Sequence, residues 1–288
     1  MANLRDIKRR IKSVRNTSQI TKAMQMVASA KMRRAQELAL KGRSYISALA
    51  NVFKHLQDSI TEGTAALMER RTTGKPLVIV VNTDRGLCGG LNANLLKEVI
   101  SKCPADADYV TIGSKLNPQL TRCGRNLVAS FSLGDTFSEA DLKPVFDFIR
   151  KGFTDGTYNS VSVAYQKFIN IMVQRPVLAE ILPITREELL AVAEQDKMPD
   201  TENTNFLLEP GPVALLNALL PLYFSNLITQ MVLEGKASEQ SARMVAMKAA
   251  TENAKSLIGE LTLEYNKARQ TQITNELLEI TTATKAME

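Results

Sequence analysis

Apolar residues recur at helical spacing along the first part of the chain. Intervals of three and four residues separate Leu4, Ile7, Ile11 and Val14. Such intervals place side chains on one narrow face of a helix, as at the seam of a coiled coil. The pattern predicts a first helix over residues 1–60, and its stripe is expected to continue through Ile20, Met24, Val27, Ala35, Leu38, Tyr45, Leu49, Val52 and Leu56.

The last part of the chain shows a second helical pattern, over residues 213–286. Glycine and proline are the strongest local helix breakers, and only Pro221, Gly235 and Gly259 occur in this stretch. We expect these positions, with Gly42 in the first helix, to be places where a stiff helix bends. The later part of the stripe is expected at Val245, Ala249, Leu257, Leu261, Tyr265 and Ala268.

The two terminal helices are predicted to pair. A single amphipathic helix leaves its apolar stripe in water, and pairing two helices buries both stripes. The chain reverses through its middle, so the pair is expected to be antiparallel. Small residues near the seam, among them Thr21 and Ala28, would allow close approach.

The middle of the chain changes from helical spacing to short apolar runs. The first run, at residues 76–82, is rich in β-branched residues and is typical of a strand buried on both faces. Further strands are predicted at 108–112, 127–131, 160–165 and 177–182, with helices at 92–102, 116–123 and 139–151. This alternation favours a mostly parallel sheet with an antiparallel edge.

The predicted fold class is therefore α/β with long helices: an antiparallel coiled coil of the terminal helices plus a central Rossmann-like α/β domain. We divide the chain into an N-terminal coiled-coil helix (1–60), the α/β domain (76–185), a connecting or foot segment (186–212) and a C-terminal coiled-coil helix (213–286).

Composition argues against several site classes. Three cysteines without CxxC spacing and a single histidine, His55, make a metal site or a disulfide framework improbable. No stretch reaches 18 apolar residues without charge, so no segment is predicted to span a membrane. The start lacks the apolar core of a secretory signal and is interpreted as mature sequence.

Charge is distributed unevenly. Residues 1–43 carry twelve basic and two acidic side chains, a net +10 against +6 for the whole chain. An acidic partner of the first helix, a solvated helix face and nucleic-acid binding all remain open. Nucleic acid is the weakest of the three, because no aromatic side chain precedes Tyr45 for base stacking.

The turn after the first predicted strand, NTDRGLCGGLN at residues 82–92, lies where α/β folds place phosphate loops. Its glycines fit neither dinucleotide nor P-loop spacing, and no lysine stands at the phosphate position. A tight turn is the preferred interpretation, with nucleotide binding as the alternative. Cys88 has no histidine in its neighbourhood to act as a base. We predict no catalytic residues and no cofactor.

Several segments together resemble the gamma subunit of F-type ATP synthase. They are ITKAMQMVA at residues 20–28, TDRGLCGGLN at 83–92, ASEQSARMVAMKAAT at 237–251, YNKARQ at 265–270 and ITNEL at 273–277. Their order along one chain extends the resemblance over nearly its whole length.

The resemblance implies a non-catalytic rotating shaft. Its helices would enter the ring of alternating alpha and beta subunits, and the α/β domain and foot would meet the epsilon subunit and the membrane rotor ring of c subunits. Ion flow would turn the shaft and drive the beta sites through different nucleotide affinities. A peripheral position on the cytoplasmic side of a bacterial inner membrane is expected, with no nucleic-acid partner.

The resemblance also implies contact residues. Arg269 and Gln270 would meet a beta-subunit catch loop, and Glu209 would lie at the rotor-ring foot. Arg9 and Arg10, in the basic first segment, would face an acidic beta-subunit loop. Thr274 and Glu276 would act in the same coupling zone as Arg269 and Gln270, together with Met24 and Arg243 across the helix pair.

Overall fold

The computed structural model describes residues 4–56, 65–135, 137–187, 189, 209 and 211–287. The predicted connecting segment 186–212 lies almost wholly outside these residues. In chain order the elements are α1 (Leu4–His55), β1 (Lys75–Val81), α2 (Leu91–Lys102), β2 (Asp108–Ile112), α3 (Asn117–Arg122), β3 (Asn126–Phe131), α4 (Glu139–Thr154), β4 (Tyr158–Phe168), β5 (Gln174–Leu182) and α5 (Pro212–Met287).

The chain divides into two compact units. One, the helix-pair unit, contains Met1–Ser29 and Arg243–Glu288, and the other, the α/β unit, contains Ala30–Ala242. The four-part division predicted from the sequence stays a prediction.

The α/β unit is built on a five-stranded sheet of order β3-β2-β1-β4-β5. β1 pairs in parallel with β2 and β4, and β2 pairs in parallel with β3. β5 is antiparallel to β4 at the edge. The predicted fold class, including the antiparallel edge, is confirmed.

β1 is buried on both faces of the sheet. Successive side chains of a strand point to opposite faces, so its residues enter two different core clusters. Leu77, Ile79 and Val81 enter one core cluster, and Val78 and Val80 enter the other. The first cluster also holds apolar residues of α4, of the end of α1 and of the start of α5. The second is closed by α2 and α3. Helices therefore cover the sheet on both sides, as expected for a mostly parallel sheet.

In the helix-pair unit, the two helical segments run antiparallel. The Thr21 hydroxyl lies 2.8 Å from the Thr251 hydroxyl. Towards the start of α1, Leu4 and Ile7 line one groove with residues of the range 264–279. Residues nearer the start of α1 therefore lie beside residues nearer the end of α5, which confirms the predicted antiparallel pairing.

The seam of this pair differs from the predicted stripe. After Val14, the covered positions of α1 continue at intervals of three and four through Ser18, Thr21, Gln25 and Ala28. Ile20 and Val27 were predicted to face the seam, but they are 60% and 53% exposed. Small seam residues let two helices approach closely, and the larger apolar side chains then lie outside.

On α5, too, the covered positions differ in part from the predicted apolar stripe. Leu261 is buried and Tyr265 and Ala268 are half-buried, as predicted, whereas Ala249 and Leu257 are exposed. The buried and half-buried positions instead recur at heptad-like spacing through Met247, Thr251, Ala254, Ile258, Leu261, Tyr265 and Ala268.

One described helix, Pro212–Lys285, is long and apolar enough to cross a membrane by length and composition alone. Its most apolar 18-residue window has a mean hydropathy of 1.4 and is 28% buried. Residues 210–233 carry no charged side chain, but polar residues such as Asn217, Asn226 and Gln230 interrupt the run, and the expectation that no segment spans a membrane stays a prediction. Part of this run, including Leu216, Leu220 and Phe224, belongs to the core of the α/β unit.

Candidate functional site

The predicted coupling residues Met24 and Arg243 both lie in the helix-pair unit. Met24 is half-buried and Arg243 is buried, with 7% of its surface exposed. From the Thr21–Thr251 pair, Met24 is three residues along α1 and Arg243 eight residues along the antiparallel α5. At about 1.5 Å per residue, their levels along the pair differ by about 7–8 Å. They therefore share one short stretch of the pair.

The predicted catch-loop residues Arg269 and Gln270 lie on α5 beyond the covered seam, as do the coupling residues Thr274 and Glu276. Arg269, Gln270, Thr274 and Glu276 are all exposed. The Thr274 hydroxyl donates to the Gln270 carbonyl at 2.9 Å, and Glu276 accepts a 2.8 Å hydrogen bond from the Gln272 amide. Every side chain described between 271 and 287 is exposed, including the large apolar ones of Ile273, Leu277, Leu278 and Ile280.

The basic residues predicted to face an acidic partner are on the surface. Arg9 and Arg10 are exposed, and Arg9 pairs at 3.0 Å with Asp6 one turn away. An exposed pair of this kind contributes little to stability. Glu209 is exposed and is the only residue described between 190 and 210, so its surroundings lie outside the described residues.

The glycine-rich turn of residues 82–92 follows β1, at the point where the strand order reverses between β1 and β4. In open α/β sheets, ligands bind in the crevice at such a point. Here α5 occupies it: a Cβ on Gly235 would lie 3.0 Å from a Val81 methyl group, and the Ser238 hydroxyl donates to the Gln166 carbonyl at 2.8 Å. This packing favours the interpretation of the turn as structural.

Asn82 organises the base of that turn. Its side-chain amide donates to the Gly113 carbonyl at 3.1 Å, and its side-chain oxygen accepts from the Leu116 amide at 3.4 Å. Gly113 has a φ of +109°, and a Cβ there would lie 2.4 Å from the Asn82 carbonyl oxygen. Only glycine fits this approach.

A charged cluster around Asp135 links distant parts of the α/β unit. Its carboxylate accepts a 2.6 Å bond from Lys31 of α1 and a 3.4 Å bond from Gln240 of α5, and Arg85 lies 4.0 Å away. Buried Lys236 donates to the Leu133 carbonyl at 3.2 Å. The hydrogen bond from Lys31 holds the pKa of Asp135 below its ordinary value, against the opposing effect of burial.

Comparison with known proteins identifies the relationship. The sequence model of the ATP synthase family matches residues 3–287. The ATP synthase gamma chain of Akkermansia muciniphila is 59% identical over 100% of both chains, and that of Methylacidiphilum infernorum is 43% identical over 100% of both. The chain belongs to the ATP synthase gamma chain family.

Solved structures agree with the family at the level of the fold. A chain of the Euglena gracilis mitochondrial ATP synthase OSCP/F1/c-ring assembly, in rotational state 3, has a TM-score of 0.68 with 19% identity. That match covers 99% of this chain and 94% of the other. A chain of the Tetrahymena thermophila central stalk and c-ring has a TM-score of 0.57 with 24% identity, over 80% and 99% of the two chains.

Within this gamma-family chain, sequence reasoning missed the Asp135 cluster. Asp135 and Lys31 are 104 residues apart, and neither belongs to a motif. The only signal was a lone aspartate in a loop beside basic helical segments, which is too common to single out. Among the described residues, no group of three His, Cys, Asp or Glu side chains is placed to hold a metal ion.

Proposed function

We propose that this chain is the central rotary shaft of an F-type ATP synthase. The observation that carries the proposal is full-length relatedness to gamma chains, at 59% identity without a gap in coverage. The antiparallel helix pair supports it, because paired helices make a stiffer element than either helix alone. The shaft couples ion flow through the c-ring to ATP synthesis or hydrolysis at the beta subunits.

The proposed partners are the alpha and beta subunits, the epsilon subunit and the c-ring. The neighbouring Euglena structure is an assembly of OSCP, F1 and c-ring, which supports the same setting for this chain. The exposed apolar side chains of residues 271–287 support it as well, because large exposed apolar patches mark interaction sites. The position would be peripheral, on the cytoplasmic side of a bacterial inner membrane.

The coupling mechanism follows from differential contact. A shaft shifts the equilibrium of a nucleotide site only if it makes different contacts in that site's different states. Exposed Arg269, Gln270, Thr274 and Glu276 supply such contacts near the end of α5, and Arg9 and Arg10 supply positive charge on α1. Met24 and Arg243 act within the pair, and Glu209 acts at the foot.

In this proposal the chain carries no catalytic residues. It changes which conformation each beta subunit adopts, and the bond-making and bond-breaking steps take place on the beta subunits. The alternative of nucleotide binding at residues 82–92 has less support, because α5 packs into the crevice that a nucleotide would need.

Purification from membranes tests the proposal. A tagged full-length chain, solubilised in mild detergent, should bring alpha, beta, epsilon and c subunits in fixed ratio, with ATP hydrolysis in the eluate. A chain that elutes without alpha and beta subunits contradicts the shaft function. A gel-shift assay with the isolated chain at physiological salt addresses the competing class, since a nucleic-acid-binding protein would show salt-dependent retardation.

A further inference from the structure

The hairpin between β4 and β5 ends in an apolar turn. Residues 169–173 read Ile-Asn-Ile-Met-Val, and all five are exposed, Met172 by 73%. Turns usually consist of Gly, Pro, Asn, Asp and Ser, whose conformations suit them to reversing the chain. Large apolar side chains at four of the five turn positions therefore need another explanation. Contiguous exposed apolar surface of this kind marks an interaction site.

The turn is held in one conformation. The Asn170 side-chain oxygen accepts hydrogen bonds from the amides of Met172 and Val173, at 2.9 and 2.8 Å. Ser241 of α5 donates to the Ile171 carbonyl at 2.7 Å, and the Gln174 amide donates to the same carbonyl at 3.0 Å. A turn fixed in advance loses little conformational entropy when a partner binds.

Two basic side chains stand at the base of the turn. Lys167 and Arg175 are directly opposite each other in the β4–β5 register, and both are exposed. Like charges in this relation destabilise a hairpin. Neither side chain has an ion pair with any residue that the structure describes. A partner that brings negative charge would relieve the repulsion.

We propose that the hairpin of residues 167–175 is a docking element for an acidic segment of a partner protein. Carboxylates of that segment lie against Lys167 and Arg175, and an apolar side chain of it packs on Ile171 and Met172. The observations favour a protein over an anionic membrane: two basic residues and no aromatic side chain at the tip make a weak membrane anchor. The proposal rests on the proposed function only for the source of the partner, a subunit of the same complex.

Photo-crosslinking in intact cells tests where the turn docks. Met172→benzoylphenylalanine is introduced into the tagged full-length chain, with Lys143→benzoylphenylalanine on the exposed face of α4 as the matched control. The expected result is one crosslink from position 172 to an Asp- or Glu-rich peptide of another subunit. Crosslinks to lipid, to nucleic acid, to this chain's own acidic residues 187–209 or to nothing overturn the proposal. Failure of the shaft function is read separately, as loss of alpha and beta subunits from the purified material.

A charge reversal separates docking from stability. Lys167→Glu places opposite charges across the hairpin, so the melting temperature of the free chain should rise by about 1–3 °C. When Lys167→Glu is combined with the crosslinking residue at position 172, the yield of the crosslink to the acidic peptide should fall about five-fold or more. Lys97→Glu on α2, an exposed position with the same charge change, should alter neither quantity. An unchanged crosslink yield for Lys167→Glu, in a chain that melts as expected, contradicts the docking role.

Discussion

The two compact units differ in what they bury. The α/β unit buries large side chains such as Phe53, Phe153 and Phe224 completely or nearly so, around a sheet whose central strand is covered on both faces. The seam of the helix-pair unit includes small residues such as Ala28 and Ala254, while larger apolar side chains of the same helices are exposed. The α/β unit is therefore stabilised by its own core. The helix pair leaves many of its large apolar side chains exposed.

The comparison predicts the largest stability effect in the α/β core. Phe53 is fully buried, and its ring packs edge-on against Tyr223 at 5.6 Å. Phe53→Ala should lower the free energy of unfolding by about 3–5 kcal/mol, because it leaves a cavity among close-packed neighbours. Leu277→Ala, on the exposed end of α5, should change it by less than about 0.5 kcal/mol. Urea unfolding followed by circular dichroism measures both, and equal effects would break the comparison.

The Asp135 cluster should give the next largest effect. Asp135→Asn removes the charge that faces Lys31, Lys236 and Arg85, and should lower the free energy of unfolding by about 1–3 kcal/mol at pH 7. The folded-state pKa of Asp135 is lowered, so its stabilisation is complete above the ordinary unfolded pKa of about 3.8 and is lost as pH falls through the folded pKa. The free energies of unfolding of the parent and the variant should therefore become equal only at acid pH. A constant difference down to pH 2 would show that the charge is not responsible.

Alanine substitutions at two glycines of α5, one in each unit, are expected to change the free energy of unfolding in opposite directions. A Cβ at Gly235 would meet Val81 of the sheet at 3.0 Å, whereas a Cβ at Gly259 would meet nothing within 4 Å. Gly259→Ala should raise the free energy of unfolding by about 0.5–1 kcal/mol, because alanine favours the helix. Gly235→Ala should not gain this and is expected to lower stability through the close contact. Thermal unfolding of the two variants measures both effects. A rise in stability at both positions would mean that the Val81 side chain moves aside at little cost.

The smallest stability effect, with a clear functional one, is expected in the helix pair. Met24→Lys puts a charge on a half-buried position of α1 in the helix pair, where the ammonium can extend to water at a cost of less than about 1 kcal/mol. Under the proposed function, ion pumping per ATP hydrolysed in membrane vesicles should fall. Met26→Lys, at a 60% exposed position two residues away, is the matched control. Equal pumping by the parent and by Met24→Lys would refute this role of Met24.

Much of the α/β unit was predictable because its signals are local. The strand at 108–112 was predicted with the bounds observed, and the other four strands were placed with errors of at most three residues at either end. Strand alternation and glycine spacing act over a few residues, so the sequence carries them directly. The seam of the helix pair was less predictable. Intervals of three and four allow neighbouring stripes on one helix, and hydrophobicity favoured Ile20 and Val27 over Thr21 and Ala28.

The candidate site divides in the same way. Arg269 and Gln270 could be selected from a motif, and Arg9 and Arg10 from the charge of the first segment. The structure finds all four exposed, while their roles stay predictions. The Asp135 cluster and the hairpin docking element were not selected, because each depends on contacts between segments far apart in the chain.

The amino-acid sequence by itself determined the family, the element order, the antiparallel edge and the basic first helix, since periodicity, breakers and charge are properties of neighbouring residues. Only the tertiary structure decided which helical face is covered, that α5 fills the crevice between β1 and β4, and that Lys167 stands opposite Arg175. Those outcomes depend on which distant surfaces fit together. Close packing selects among faces that local spacing leaves nearly equivalent.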